Sequence, residues 1–476
     1  MAMGTRKGRE RQQELWVATA TLARPAGHPF YERLNLLLDK CSFDEFVEDV
    51  CRRFYAENMG RPGLSPGIYF RLLLLGYFEG IDSERGIAWR AADSLSIRAF
   101  LRFGLDETAP DQTTISRTRR LIDVETHQLV FAWVLTVLAE HGLLRGKTIG
   151  IDATTLEANA ALRSIVRRDT GQTYQEFLLQ LAKASGIETP TRSQLARLDR
   201  KRAKKGSNQE WGHPQDPDAR ITKMKDGRTH LAHKAEHAVD METGAVVAVT
   251  VQPADAGDTQ TVQETLERAS EHIGIVAEAV NQAVEAEMVN ANGPVEVVTD
   301  KGYHSREVVR KIEEARIRTY ISEPDRGAQR WIDQSAEQTA VYGNRRRVKG
   351  ERGAKLQRQR GERLERINAH LYETGGMRRV HLRGRDNILK RLLIHICGLN
   401  LGLLMRWACG VGTPRGLQGR RNSPVDAFQQ LLHCIIWLMI CEDSRRESFA
   451  VTSTPRASPD HQLVACFHSS FVFVLM

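Results

Sequence analysis

The chain is 476 residues long, with 41% hydrophobic side chains and 68 Lys and Arg against 59 Asp and Glu, a net charge of +9. That length and apolar content exclude a disordered chain and allow roughly two or three packed domains, while the basic balance makes an acidic polymer a fitting partner. The cysteines at 41, 51, 397, 409, 434, 441 and 466 stand far apart with no C-x-x-C pair, which argues against both a disulfide framework and a zinc finger.

Residues 1–27 form a polar, charged tail without the apolar segment of a signal peptide, and the apolar run 431–440 is too short to span a bilayer. Neither export nor a membrane is expected. Residues 28–140 read as a helical domain. FDEFVEDVCRRFY (43–55) and SPGIYFRLLLLGYFEGI (65–81) carry apolar residues at three- and four-residue spacing, and Ser65-Pro66 supplies an N-cap followed by Pro at the first helical position. APDQTTISRTRRLI (109–122) predicts a helix capped by Asp111 or Thr113 and displaying Arg117, Arg119 and Arg120. Short helices ending in a basic one suit a helix-turn-helix-like DNA-binding unit, and equally a packing domain with a solvated arginine face.

From Gly146 the period changes to that of strands. KTIGIDATT (147–155) is the first, and the polar, basic stretch 163–228 reads as an insertion or mobile arm. HLAHKAEHAVD (230–240) and AVVAVTVQPA (245–254) flank a hairpin signal; a helix (258–273), the strand VEVVTD (295–300), a helix (305–315) and the strand RTYIS (318–322) follow. A three-strand meander followed by helix, strand, helix, strand describes an α/β fold: a mixed sheet with flanking helices in the ribonuclease H-like order, preceded by the all-helical N-terminal domain. Between 345 and 366 stand ten Lys or Arg against three acids, a density that repels itself unless a polyanion neutralises it or the face is solvated. An apolar helix (385–408) closes the catalytic domain expected at 141–408. The segment 409–476 has no legible role.

Asp152 and Asp300 each end a β-branched run, where a carboxylate is held on rigid backbone at the sheet edge. Phosphoryl transfer by a two-metal site requires hard carboxylate ligands held close together, so the pair predicts a divalent-metal centre for two Mg²⁺ (or Mn²⁺) ions. The third ligand is expected from a helix after the last strand. Glu365 is the choice, with Glu362 and Glu373 as rivals. Lys301, Tyr303 and His304 stand beside Asp300 and could position phosphate, or simply form a turn; Tyr342, Arg345, Arg346 and Arg347 are candidate DNA contacts. His230, His233 and His237 are a poor zinc set, since in a strand only His233 and His237 share a face. Glu157 is read as following the strand end and facing solvent; Asp255 and Asp258 follow the third strand, and Asp258 is read as the cap of the following helix.

GIDATTLEANA (150–160), HKAEHAVD (233–240), VTVQPADAGDTQ (249–260), VTDKGYHS (298–305) and the run from Arg358 through ERLER and ETGGMRR to LRG (382–384) together resemble the bacterial insertion-sequence transposases of the Asp-Asp-Glu class, in the branch with a Tyr-Arg-Glu-Lys signature. The resemblance covers about 28–408. It implies that Asp152, Asp300 and Glu365 are the catalytic, metal-binding triad. It implies cleavage and strand transfer at terminal inverted repeats in double-stranded DNA, by a homo-oligomer on the nucleoid in the bacterial cytoplasm. The signature's arginine and lysine positions hold Gly361 and Tyr372, so Arg360 or Arg363 would stand in for the first and Arg378 or Arg379 for the second; Arg358 stands four residues before Glu362. Two rivals remain open: a ribonuclease H-like nuclease or resolvase, and a catalytically inactive repressor derived from a transposase.

Overall fold

The computed structural model describes residues 27–417 apart from 57–59, 61–62, 203–205, 225–226, 285–287, 326 and 328. The polar tail up to 26, the apolar run 431–440 and most of the C-terminal segment lie outside the described residues. The chain opens with helices α1 (Pro29–Lys40), α2 (Phe43–Cys51), α3 (Pro66–Glu79), α4 (Glu84–Asp93), α5 (Leu95–Phe100), α6 (Gln112–Leu121) and α7 (Val124–Glu140). Pro66 starts α3 at its first position and Gly80, at φ 67°, ends it in the left-handed conformation. Ser65 is the N-cap residue of α3, but its hydroxyl makes no capping bond. At α6 the cap is Asp111, which accepts from the Thr114 N–H at 2.7 Å.

β1 (Thr148–Glu157) follows, and then the stretch read as a mobile arm. It is folded. β2 (Val166–Arg167), α8 (Tyr174–Ala184) and β3 (Trp211–Gly212) gather around Trp211, which packs with Ala158, Ile165, Ala219 and Leu231 and with Tyr174 and Phe177, while α9 (Arg192–Lys201) packs on α8. A few aromatic side chains suffice to nucleate this satellite, so apolar density was a poor guide. Both helices begin with capping boxes, Thr173 with Glu176 and Thr191 with Gln194, a signal visible in the sequence.

β4 (Arg220–Lys223), β5 (Thr229–Asp240), β6 (Val246–Pro253), α10 (Asp258–Val284), β7 (Glu296–Thr299), α11 (Arg306–Glu314) and β8 (Arg318–Ile321) complete the sheet. Its order is β4-β5-β1-β7-β8, with β6 also paired to β5. β5 lies antiparallel to β1 and β6, whereas β7 and β8 run parallel to β1 and to each other. This is the mixed arrangement expected from the element order. The outer strands β6 and β8 are each closed by a buried asparagine: Asn400 exchanges hydrogen bonds with Val246 N–H and C=O at 3.1 and 2.9 Å, and Asn344 does the same for Ile321 at 2.9 and 2.8 Å. An amide side chain thereby replaces a further strand.

The basic region forms α12 (Ser335–Lys349) and α13 (Glu351–Asn368), followed by a π-helical turn, Ala369–Thr374, and then α14 (Arg385–Cys409). By length and composition the segment Arg385–Gly416 could cross a membrane, yet 83% of its apolar window is buried inside the protein. It is a core helix: α14 packs on α3 and α7 and on β6, and one apolar core runs from Phe30 to Met405. The N-terminal helices and the sheet share that core.

Candidate active site

The register of the parallel strands builds the site. Gly150 on β1 faces Val298 on β7, and Asp152 and Asp300 each lie two residues further along. Asp300 keeps extended backbone (φ −81°, ψ −176°), so the alternation of faces holds up to it. Neighbouring strands lie roughly 4.8 Å apart, which brings the two carboxylates out side by side on one face just past the last β1–β7 pair. Asp300 follows the end of β7, but Asp152 lies inside β1, which runs on to Glu157 through its pairing with β5, and not at a strand end as the sequence suggested. There the Asn368 amide donates to Asp152 Oδ2 at 3.4 Å, and the Gly302 N–H donates to Asp300 Oδ1 at 2.8 Å.

α13 lies across this face. Leu356 packs with Val298 and Tyr320; Gln357 Nε2 donates to the carbonyls of Thr299 at 3.1 Å and Tyr320 at 2.6 Å; and Leu364 covers Gly150. A methyl group at Gly150 would stand 3.0 Å from Leu364 Cδ1 and 2.5 Å from Met241 Sδ, so glycine is what lets the helix approach β1. Tyr372, on the π-helical turn, donates to or accepts from His237 Nε2 at 2.7 Å, and His237 is the β5 partner of Asp152. Burial lowers the His237 imidazole to about 3 and raises the Tyr372 phenol. Single π turns of this kind recur at functional sites.

Glu365 is exposed and follows the buried Leu364. It precedes Asn368 by three residues, which makes the two neighbours on the helix surface. Glu362 is exposed and paired with Arg366 at 2.7 Å, and Glu373 is paired with Arg378. Among the described residues no group of three or more His, Cys, Asp or Glu side chains converges closely enough to hold a metal ion. Strand register thus sets Asp152 beside Asp300, and Glu365 stands exposed on the helix that crosses the same face. The donor chemistry still fits: two hard carboxylates, each oriented by an amide N–H, suit an oxygen-liganded divalent cation.

The cations expected to meet DNA divide into two sets. Arg117, Arg120, Lys301, Arg346, Arg358 and Arg379 are exposed, as is Tyr342. Arg119 is only 7% exposed and is taken up within the protein: its guanidinium pairs with Glu84 at 2.6 Å and bonds Asn387 and Ser116, tying α6 to α4 and α14. Arg345 makes two hydrogen bonds to Glu323 at 2.8 and 2.9 Å, and Arg347 is held by Glu313 and by the Thr319 carbonyl at 3.0 Å. Arg360 and Arg363 are half-buried on α13, and Arg378 lies over the Tyr372 ring, 5.7 Å from its centre. Residues 378–380 dock beside the end of β1, through Glu157 N–H to Arg378 C=O at 3.1 Å and Val380 N–H to Glu157 C=O at 2.9 Å.

Other expectations change. Tyr303 is buried and bonded to Glu236, and His304 is buried as well, so neither ring lies at the surface for phosphate. Asp258 pairs with Lys234 at 2.6 Å, and among the histidines His233 is bonded to Asp216 at 3.1 Å. Sequence reasoning missed Asn368, Tyr372 and Glu236. Nothing local marks them, because each acquires its partner only across the fold.

Residues 21–121 match the family described as Transposase domain (DUF772), and residues 190–401 match the Transposase DDE domain. No curated protein and no solved structure matches the chain. Asp300 and Glu365 fall inside the second match, whereas Asp152 falls between the two and is tied to them by its strand register. With a helical unit and a mixed sheet that carry these two matches in order, the chain belongs to the insertion-sequence transposases of the DDE class.

Proposed function

We propose that this transposase binds the terminal inverted repeats of its own element, hydrolyses the phosphodiester at each end and directs the freed 3′-hydroxyl at target DNA. The family implies metal-dependent phosphoryl transfer on DNA. The observation that carries the reading is the in-register pair Asp152 and Asp300 beneath α13, the helix that bears Glu365. Asp152, Asp300 and Glu365 would hold the metal, Mg²⁺ or Mn²⁺, with two ions expected. When bound, such ions polarise the scissile phosphate and lower the pKa of the attacking water. The chain's own groups do the rest. Asn368 and the Gly302 N–H orient the two aspartates, and Lys301, Arg346, Arg358 and Arg379 are available to the phosphate backbone. Arg117 and Arg120 give the helical domain, about 28–140, an exposed basic edge for the repeat. On this reading the protein acts as a homo-oligomer that brings two ends together, in the cytoplasm at the nucleoid.

Asp152→Asn and Asp300→Asn test it on a labelled duplex carrying the gene's flanking sequence in Mg²⁺. An amide keeps the shape and still accepts from Gly302 but forfeits the charge, so both variants should bind and neither should cut. Cleavage at the wild-type rate by either one would end the metal-site reading. The second reading is a DNA-binding repressor without catalysis, for which the exposed basic side chains alone suffice. Wild-type protein that binds the ends and never cuts them would establish it.

A further inference from the structure

Asp300 opens a single 3-10 turn, Lys301–Tyr303, whose first two residues are exposed. Its own backbone bonds are long: Tyr303 N–H to Asp300 C=O at 3.4 Å and His304 N–H to Lys301 C=O at 3.3 Å. The turn is held instead from below. Tyr303 is 1% exposed, and its hydroxyl donates to Glu236 Oε1 at 2.9 Å. Glu236, on β5, is 0% exposed and pairs in register with Ala153, one residue beyond Asp152, so it faces the side of the sheet opposite the two aspartates. On that side α10 supplies Thr261, whose hydroxyl donates to the same Oε1 at 2.8 Å, and Thr265, which donates to Oε2. Lys234 Nζ stands 3.8 Å from Oε1 and pairs with Asp258.

A carboxylate buried in a sheet core is costly unless its acceptor sites are filled and a cation is near. Three hydroxyls and Lys234 meet both conditions. One of those hydroxyls belongs to the turn that begins with Asp300 and reaches, past β1, to β5. Resting on the metal-site reading above, we propose that Glu236 and Tyr303 are positioning residues: Glu236 anchors Tyr303, the anchored ring fixes the Asp300 turn, and the turn sets the direction of the Asp300 carboxylate and hence metal affinity. Groups that orient a metal ligand from behind typically change affinity about 10- to 100-fold when altered.

The test is a titration of the full-length protein with Mn²⁺, following the signal of the free ion by electron paramagnetic resonance, alongside cleavage of the flanking-sequence duplex against Mg²⁺ concentration. Wild type, Tyr303→Phe, Glu236→Met, which keeps the length of the side chain and removes the acceptor oxygens, and the double variant are compared. Tyr303→Phe keeps the buried ring and removes only the anchoring hydroxyl, so it guards against a Glu236→Met protein that fails to fold. About a tenfold or greater rise in the Mn²⁺ dissociation constant and in half-saturating Mg²⁺ is expected for each, with little change in the rate at saturating Mg²⁺. The double variant should be no worse than the poorer single one, because the two residues act in series. A merely structural role would lower the amount of active protein and leave half-saturation unmoved. That outcome in folded Tyr303→Phe, or additive losses in the double variant, overturns the anchor. Wild-type protein that binds Mn²⁺ but never cuts DNA overturns the transposition chemistry alone, and the anchor is still judged by the shift in Mn²⁺ affinity.

Discussion

Replacing Glu365 by Gln separates the third ligand from its rivals. Glu365 and Asn368 are three residues apart on α13, so their side chains differ by about 60° around the axis and roughly 4.5 Å along it. Asn368 already reaches Asp152, at 3.4 Å, and a swing of the exposed, three-carbon Glu365 side chain along that ridge brings its carboxylate toward the pair. Losing a ligand that contributes several kcal/mol of transition-state charge stabilisation slows cleavage by about a thousandfold or more, at roughly 1.4 kcal/mol per factor of ten. Glu362→Gln removes only an exposed pair with Arg366, whose side chains are 68% and 60% exposed. Such i,i+4 pairs contribute about 0.3–0.5 kcal/mol, so its rate should stay within roughly a factor of two or three. Single-turnover cleavage of a labelled duplex at saturating Mg²⁺ reads both. Glu365→Gln cutting at near wild-type rate, or Glu362→Gln losing cleavage with Arg366→Ala unaffected, would show that the wrong ridge of α13 has been assigned.

Three further outcomes follow from the packing and charge of the site. Gly150→Ala thrusts a methyl group against Leu364 and Met241 and should cost about 1–3 kcal/mol in denaturant unfolding; a loss below about 0.5 kcal/mol would mean that α13 does not seat on β1 there. Arg346→Ala should flatten the log-log dependence of DNA affinity on salt by about 0.9 if that exposed side chain meets a phosphate, whereas Arg345→Ala, committed to Glu323, should leave the slope unchanged, and the reverse ranking would reverse their roles. Burial holds the His127 imidazole down at about 3 and His272 at about 4, both below the ordinary 6.5, so the unfolded chain takes up protons that the folded one refuses. Their stability contribution is therefore complete above about pH 6.5 and falls with pH, together by up to about 2.7 kcal/mol per pH unit near pH 5; other buried histidines such as His237 add to the measured slope, so His272→Gln should lower it by about 1.2 kcal/mol per pH unit, and an unchanged slope would refute the assignment.

The sequence by itself determined the order of elements, because runs such as VEVVT and AVVAVTV extend the backbone through their β-branched side chains and alternation sorts their faces. It also marked Asp152 and Asp300, and so the hard-carboxylate chemistry of the site, although only Asp300 follows a strand end while β1 runs on past Asp152 to Glu157. The satellite around Trp211 was less legible, because a cluster assembled from single residues far apart leaves no period. Only the tertiary structure decided which arginines remain available: Arg117 and Arg119 stand two residues apart, yet Glu84 and Asn387 take up one and leave the other exposed. The same holds for the ligand geometry. Strand register set Asp152 beside Asp300, the glycine at 150 let α13 descend onto β1, and Glu236, 67 residues from Tyr303, became its partner. Propensity and period act over a few residues, whereas burial and hydrogen-bond pairing act between segments that meet only after the chain has closed on itself.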